Sequence, residues 1–177
     1  MREIDQLIEI VLSSSSVNQE SRVAKSKKHS SLEEINAWEK AHSLFLPPDY
    51  RQFLLKVGEC ELHGILRFLP LQSISRVADF IYGNEPDAPI LPESWFAIAI
   101  LGDSDYTIMD LATVDGDAVN IIDGFHELAH ESLEIIAKSF TEFFKRSIED
   151  KDVSTGGGGG HGYWSTPGPN YGETEHG

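Results

Sequence analysis

The residues best suited to chemistry form the string His126-Glu127-x-x-His130. On a helix, histidines four residues apart lie on one face and can share a zinc ion, while the glutamate between them serves as general base. A catalytic zinc site needs a third protein ligand. One extended version of the motif has glycine and histidine three and six residues later, but this chain has Leu133 and Ile136 at those positions.

Glutamates are the remaining candidates for a third ligand. The apolar spacing predicts one helix from Ser132 to Glu149, which would place Glu149 about 28 Å from His130. Glu134 is nearer, but ligands strung along one straight helix make an atypical catalytic site. Gly124 precedes the motif, so we expect the motif to form the solvated start of that helix. We predict no catalytic residue, no metal and no cofactor, and we keep a zinc-dependent hydrolase as the alternative.

The single cysteine, Cys60, is the other group with reactive potential. His63 lies three residues further on, but no motif supports a nucleophile, so we expect a buried, unreactive thiol. One cysteine permits no internal disulfide, and the N-terminus lacks the continuous apolar segment of a secretory signal. A cytoplasmic location is therefore expected.

Charge is distributed unevenly along this acidic chain, whose formal net charge is -15. Between Arg76 and Lys138 there is no Lys or Arg, whereas the same stretch contains thirteen acidic residues. Direct binding of nucleic acid or of an anionic membrane would lack its basic contacts here. A basic protein would be attracted, although acidity can also serve solubility alone. We expect a protein partner and no small-molecule substrate.

Acidic residues in the predicted loops of this stretch are the candidate contacts for such a partner. They are Glu85, Asp87, Asp103, Asp105, Asp115 and Asp117.

The elements that must position these groups follow from hydrophobic spacing and turn residues. Residues 1–31 are predicted to form a short amphipathic helix, either docked or loose, and a polar linker, and residues 151–177 a glycine-rich disordered tail. In the domain between them, a capping box at Ser31-x-x-Glu34 and the pair Pro47-Pro48 each open a helix. Further helices are predicted over 73–82 and 126–149, and strands over 64–70, 95–101, 106–111 and 118–122. The closely spaced strands and the Asp115-Gly116 turn indicate an α+β fold with a mainly antiparallel sheet, covered by N-terminal and C-terminal helices.

Several short segments, taken in order, resemble the SUKH superfamily. These immunity-type proteins also include the yeast Smi and Knr cell-wall regulators. The similar segments are Ile35-x-x-Trp38-Glu39, Leu46-Pro47-Pro48-Asp49-Tyr50-Arg51-Gln52-Phe53-Leu54, Phe68-Leu69-Pro70-Leu71, Phe96-Ala97-Ile98-Ala99, Ile108-Met109-Asp110-Leu111, Gly116-Asp117-Ala118-Val119 and Ala137–Phe144. An Asn-Gly-Gly run that is frequent in the family is replaced here by Val57-Gly58-Glu59-Cys60.

The resemblance extends over about residues 32–147 and carries expectations about fold and function. It implies an α+β fold and a non-catalytic role. It further implies an immunity protein that neutralises a toxin, such as a nuclease, with a basic toxin domain as the partner. A regulatory or scaffold module of the same fold remains a further alternative.

Overall fold

The computed structural model describes residues 1–14, 24–25, 29–83, 85–102, 105–124, 133–150, 169, 171–172 and 174. Within these residues the elements, in chain order, are α1 (Glu3–Ser14), β1 (Ala24–Lys25), α2 (Leu32–His42), α3 (Pro48–Lys56), β2 (Cys60–Leu62), β3 (Leu66–Phe68), a 3-10 turn (Leu71–Ser73), β4 (Ser75–Arg76), α4 (Val77–Tyr82), β5 (Trp95–Leu101), β6 (Asp105–Asp115), β7 (Ala118–Gly124), β8 (Ile135–Ser139) and α5 (Phe140–Glu149).

The strands form one antiparallel sheet in the order β1-β2-β3-β5-β6-β7-β8, and the short β4 also pairs with β5. The β6–β7 hairpin turns at Gly116, whose positive φ of 60° suits a residue without a side chain. The α+β class and the antiparallel sheet expected from the sequence are confirmed. No helix in the described ranges is long and apolar enough to cross a bilayer.

The N-terminal helix α1 is docked, which decides between the two states predicted for it. Its residues Ile4, Leu7, Ile8 and Val11 are buried in the core. On its polar side, Asp5 lies 3.4 Å from the amine of Lys56. A 12-residue helix is marginally stable alone in water, so burial of its apolar face holds it in place.

The larger core fills the face of the sheet that carries α1, α2, α3 and α5. Its centre is a group of aromatic rings with centroids 5.0–6.5 Å apart, each fully buried. These rings belong to Phe53, Phe68, Phe140, Phe143 and Phe144. Tilted and edge-on aromatic pairs of this kind add to the stabilisation from burial.

A smaller core occupies the opposite face of the sheet. It contains Val77, Leu91, Trp95, Ala97, Tyr106, Ile108, Ile122 and Leu133. Its cover is the six-residue helix α4 together with the segment 85–94 that leads to β5. Within the described residues, this face has one short helix, whereas four helices contribute to the larger core.

The predicted helix over 126–149 is confirmed from Phe140 to Glu149 and is wrong over the described residues 133–139. Ile135–Ser139 forms β8 and pairs with β7, with Ile121 opposite Ala137, and the helix begins only at Phe140. Two consecutive β-branched residues favour the strand, and burial against β7 overrides helical spacing. A second capping signal was overlooked, because the side chain of Ser139 accepts a hydrogen bond from Glu142 N (3.1 Å).

Two smaller predictions also need correction. The helix predicted over 73–82 includes only Val77–Tyr82, because Ser75 and Arg76 pair with β5. The strand Cys60–Leu62 was not predicted, since three residues are too few to show an alternating pattern. The capping box of α2 is confirmed in both directions, at 3.2 Å and 2.7 Å.

Candidate functional site

The histidine motif lies outside the part of the chain that the structure describes. This applies to His126, Glu127 and His130 alike. The estimate of about 28 Å between His130 and Glu149 assumed one straight helix. It no longer applies, because β8 occupies part of that stretch. Among the described residues, no group of three or more His, Cys, Asp or Glu side chains is placed to hold a metal ion.

The environment of Cys60 makes its thiol a poor nucleophile. It is buried in the larger core, and this burial raises the pKa of the thiol to about 12. The ring of His63 is engaged elsewhere, since its Nε2 donates to the carbonyl of Ser147 at 2.7 Å. The pair therefore does not form a thiol and base at one site.

One of the six candidate acids lies in a different position from the one expected. Asp105 was predicted in a loop, but it is the first residue of β6 and only 3 % exposed. Pairing of β6 with Leu101 draws it into the sheet. It is therefore withdrawn as a surface contact. Asp103 lies outside the described residues.

The remaining four candidates lie at opposite ends of the sheet. Asp115 and Asp117 are at the β6–β7 turn. Glu85 lies near the start of β6. Its N–H donates to the carbonyl of Tyr82 at the end of α4, and Phe80 of the same helix contacts Tyr106, the second residue of β6. Eleven strand residues separate the two ends by roughly 33 Å. These acids therefore do not form one continuous surface.

Asp117 has a structural contact despite its exposure. Its Oδ1 accepts a hydrogen bond from the backbone N–H of Asp49 at 2.9 Å. The buried Asp49 carboxylate in turn accepts from Tyr50 N (2.7 Å) and from both the N–H and the hydroxyl of Thr141 (2.8 Å each). Burial raises the pKa of Asp49, although these hydrogen bonds oppose the shift. This network ties α3, α5 and the β6–β7 turn together.

The cleft beside this network contains charges of both signs that neutralise one another. It has a volume of about 470 Å³ and lies between the starts of α1 and α5, with Arg2, Glu142 and Asp117 in its lining. The amine of Lys145 lies 2.8 Å from the carboxylate of Glu3 within it. Such a lining does not concentrate one charge for a ligand.

A surface of different character covers the smaller core. Three large apolar side chains are exposed there: Phe80 (38 %), Ile81 (38 %) and Ile90 (101 %). The same segment, residues 79–93, also exposes four acids: Asp79, Glu85, Asp87 and Glu93. We call these seven residues the acidic α4 surface.

Side chains of the smaller core hold the acidic α4 surface in place. The ring of Phe80 lies 5.8 Å from that of Tyr106, while Tyr82 and Leu91 pack into the smaller core. Arg76, at the base of α4, lies 3.9 Å from Glu93. Exposed apolar side chains next to charged residues are typical of protein-binding surfaces.

The apolar members of this surface were missed in the sequence. Phe80 and Ile81 look like ordinary residues of an amphipathic helix until the short length of α4 is known. Ile90 stands among prolines, in a segment predicted only as a loop. The sequence did contain one signal, because Ile90 is an apolar residue in a segment where no helix or strand was predicted to bury it.

Three further acids meet at the β6–β7–β8 side of the sheet. Asp123 is buried opposite Thr107, and its N–H donates to the carbonyl of Glu134 at 2.9 Å. Burial, reinforced by the charges of Asp105 and Glu134, raises the pKa of Asp123 to about 7. The fold therefore favours a protonated carboxyl at this position up to neutral pH.

The domain defined by these elements matches one known family. The model of the SMI1 / KNR4 family (SUKH-1) matches residues 29–146, from the residues before α2 into α5. The resemblance to the SUKH superfamily is thereby confirmed. No curated protein matches the chain.

Proposed function

Because the chain belongs to the SMI1 / KNR4 family (SUKH-1), we propose that it is a non-catalytic protein-binding domain that acts as an immunity protein. Its partner would be a toxin with a basic surface, and a nuclease is the chemistry that fits best. The observation that carries this proposal is the acidic α4 surface. A cytoplasmic location belongs to the proposal, since a nuclease toxin must be neutralised where nucleic acid is exposed.

Charge supports a nuclease as the partner. A nuclease presents basic side chains to phosphate, and carboxylates at Asp79, Glu85, Asp87 and Glu93 offer the same sign of charge as the substrate. No Lys or Arg within residues 77–137 weakens the attraction, although Arg76, 3.9 Å from Glu93, offsets part of the charge of that one carboxylate. Complementary charge of this kind speeds association, and its effect falls as salt screens it.

The exposed apolar residues supply what charge alone cannot. Affinity differences among related complexes reside mainly in the dissociation rate, which depends on well-packed anchors at the centre of the interface. Phe80, Ile81 and Ile90 have the size for such anchors. Exposed acids and exposed apolar residues within one segment, 79–93, suit a partner surface that combines basic and apolar side chains.

The six acids predicted from the sequence are not all kept as partner contacts. Glu85 and Asp87 are retained as contacts, and Asp103 and Asp115 remain predicted contacts. Reversal of Asp105 or Asp117 would disturb buried or structural contacts, so neither belongs in a test of binding.

The test is co-expression with candidate nuclease toxins, beginning with any that is encoded next to the gene of this chain, scored by cell survival. Wild type and the matched control Glu9→Lys/Glu149→Lys are expected to protect, because both control residues are exposed and lie outside the surface. Glu85→Lys/Asp87→Lys, with the same change in net charge, is expected to lose protection. Equal protection by the two double variants would contradict the proposal. Binding to another cellular protein without protection would instead favour a regulatory or scaffold module.

A further inference from the structure

The outer edge of β8 is paired with residues from the C-terminal end of the chain. Ile135 N–H donates to the carbonyl of Gly172 at 3.0 Å, and Thr174 N–H donates to the carbonyl of Leu133 at 2.9 Å. The two bonds lie on either side of Glu134. The β8 segment donates in one of them and accepts in the other, which is the pattern of an antiparallel pair. The C-terminal residues thus add one further strand-like segment beyond β8.

Side chains fix the register of this segment. The hydroxyl of Tyr171 donates to Glu142 Oε1 at 2.5 Å, and the amine of Lys138 lies 5.6 Å from the Tyr171 ring centroid. Thr174 is buried, and its hydroxyl donates to the same Leu133 carbonyl at 3.3 Å. An aromatic residue and a small polar residue three positions apart therefore each have a defined place on the edge.

The backbone at Gly172 adds a third requirement. Its φ is +82°, and a Cβ built on it would meet nothing within 4 Å. An L-residue is therefore disfavoured there by backbone conformation alone, and a D-residue is not.

We propose that the outer edge of β8 is a binding site for an extended peptide of the pattern aromatic-Gly-x-Thr, and that Tyr171, Gly172 and Thr174 of the chain itself occupy it. An open sheet edge accepts an added strand through main-chain hydrogen bonds, with side-chain pockets giving specificity. The two main-chain bonds supply the strand-like pairing, and the side chains of Tyr171 and Thr174 supply the specificity. This site is independent of the acidic α4 surface and of any toxin.

The first experiment measures hydrogen exchange at the Ile135 amide in the full chain, with β6 amides as the internal reference. Gly172→Ala is expected to speed exchange at Ile135 by about 5- to 30-fold, the cost of a left-handed L-residue, and to leave β6 unchanged. Tyr171→Phe is expected to have a smaller effect in the same direction. An Ile135 amide that exchanges equally in wild type and Gly172→Ala would overturn the proposal.

The second experiment asks whether the site binds a strand in trans. Thr174→Pro in the full chain removes the N–H that reaches Leu133, and should leave Ile135 unprotected. A synthetic peptide of residues 168–177 should restore protection, as should the same peptide with D-alanine at position 172. The L-alanine peptide should fail to do so. Equal action of the D- and L-alanine peptides, or no protection by the native peptide at millimolar concentration, would overturn the proposal.

Discussion

The two faces of the sheet are built differently. Among the described residues, one carries four helices and a cluster of fully buried phenylalanines, and the other carries one six-residue helix over a small core. On the helix-covered side, the exposed apolar residues Ile10, Leu32 and Phe45 belong to three different segments. On the α4 face, Phe80, Ile81 and Ile90 are exposed within one acid-rich segment. We therefore expect the first face to supply most of the stability, and we propose recognition on the second.

The largest expected effect lies in the phenylalanine cluster. Phe140→Ala removes a fully buried ring in contact with five other aromatic side chains, and should lower the free energy of unfolding by about 3–5 kcal/mol. Phe80→Ala, on the other face, should cost about 1 kcal/mol or less, because that ring is partly exposed. Guanidinium denaturation of both variants measures the difference. Similar losses would show that the two faces contribute alike to stability.

The next effect concerns the network that holds the helix-covered face to the β6–β7 turn. Asp49→Ala leaves the N–H and hydroxyl of Thr141 without their acceptor, and should cost about 2–3 kcal/mol. The control is Asp115→Ala in the exposed turn, which should change stability by about 0.5 kcal/mol or less. A loss below 1 kcal/mol for Asp49→Ala, by the same denaturation assay, would mean that the network is not structural.

Asp123 provides a pH-dependent test within the sheet. Its folded pKa of about 7 is above the unfolded value, so the proton is held more tightly in the fold. Its contribution to stability is present in full below the unfolded pKa and is lost as the pH rises toward 7. Asp123→Asn should therefore be about 1–3 kcal/mol more stable than wild type at pH 8, and the gain should shrink toward pH 4. A gain that is the same at every pH would contradict the assignment of this proton to Asp123.

The smallest effect on stability is expected at the most exposed apolar residue. Ile90→Ser should leave the free energy of unfolding within about 0.5 kcal/mol of wild type, because the side chain is fully exposed. The same change should weaken partner binding about tenfold or more if Ile90 is an anchor. Titration calorimetry with the toxin domain measures this, and Ile10→Ser, at an exposed apolar residue of α1, is the matched control.

The regular elements of the domain were largely predictable from local chemistry. The capping box of α2, the proline start of α3, the apolar strand at Trp95 and the turn at Gly116 each depend on nearby residues. β8 was mistaken for helix because Ile135 and Ile136 fit both spacings, and only pairing with β7 decides between them. Pairing partners distant in sequence cannot be deduced from a single short segment.

The candidate site was less predictable than the fold. The acidic stretch correctly indicated where charge accumulates, but not which carboxylates reach the surface. Asp105 and Asp123 are drawn inward by strand pairing, whereas Glu85 and Asp87 remain outside on an irregular segment. Burial depends on strand register, which the sequence alone does not specify. The exposed apolar residues became recognisable only when α4 proved too short to cover the smaller core.

Recognition by the acidic α4 surface is tested by a hydrogen-exchange footprint of the complex with a toxin that this chain neutralises. Added protection is expected to concentrate in residues 77–93, which carry that surface. The backbone amides of α1, α3 and α5 should exchange as they do in the free protein. Protection confined to the helix-covered face or to the β6–β7 turn, with residues 77–93 unchanged, would contradict it.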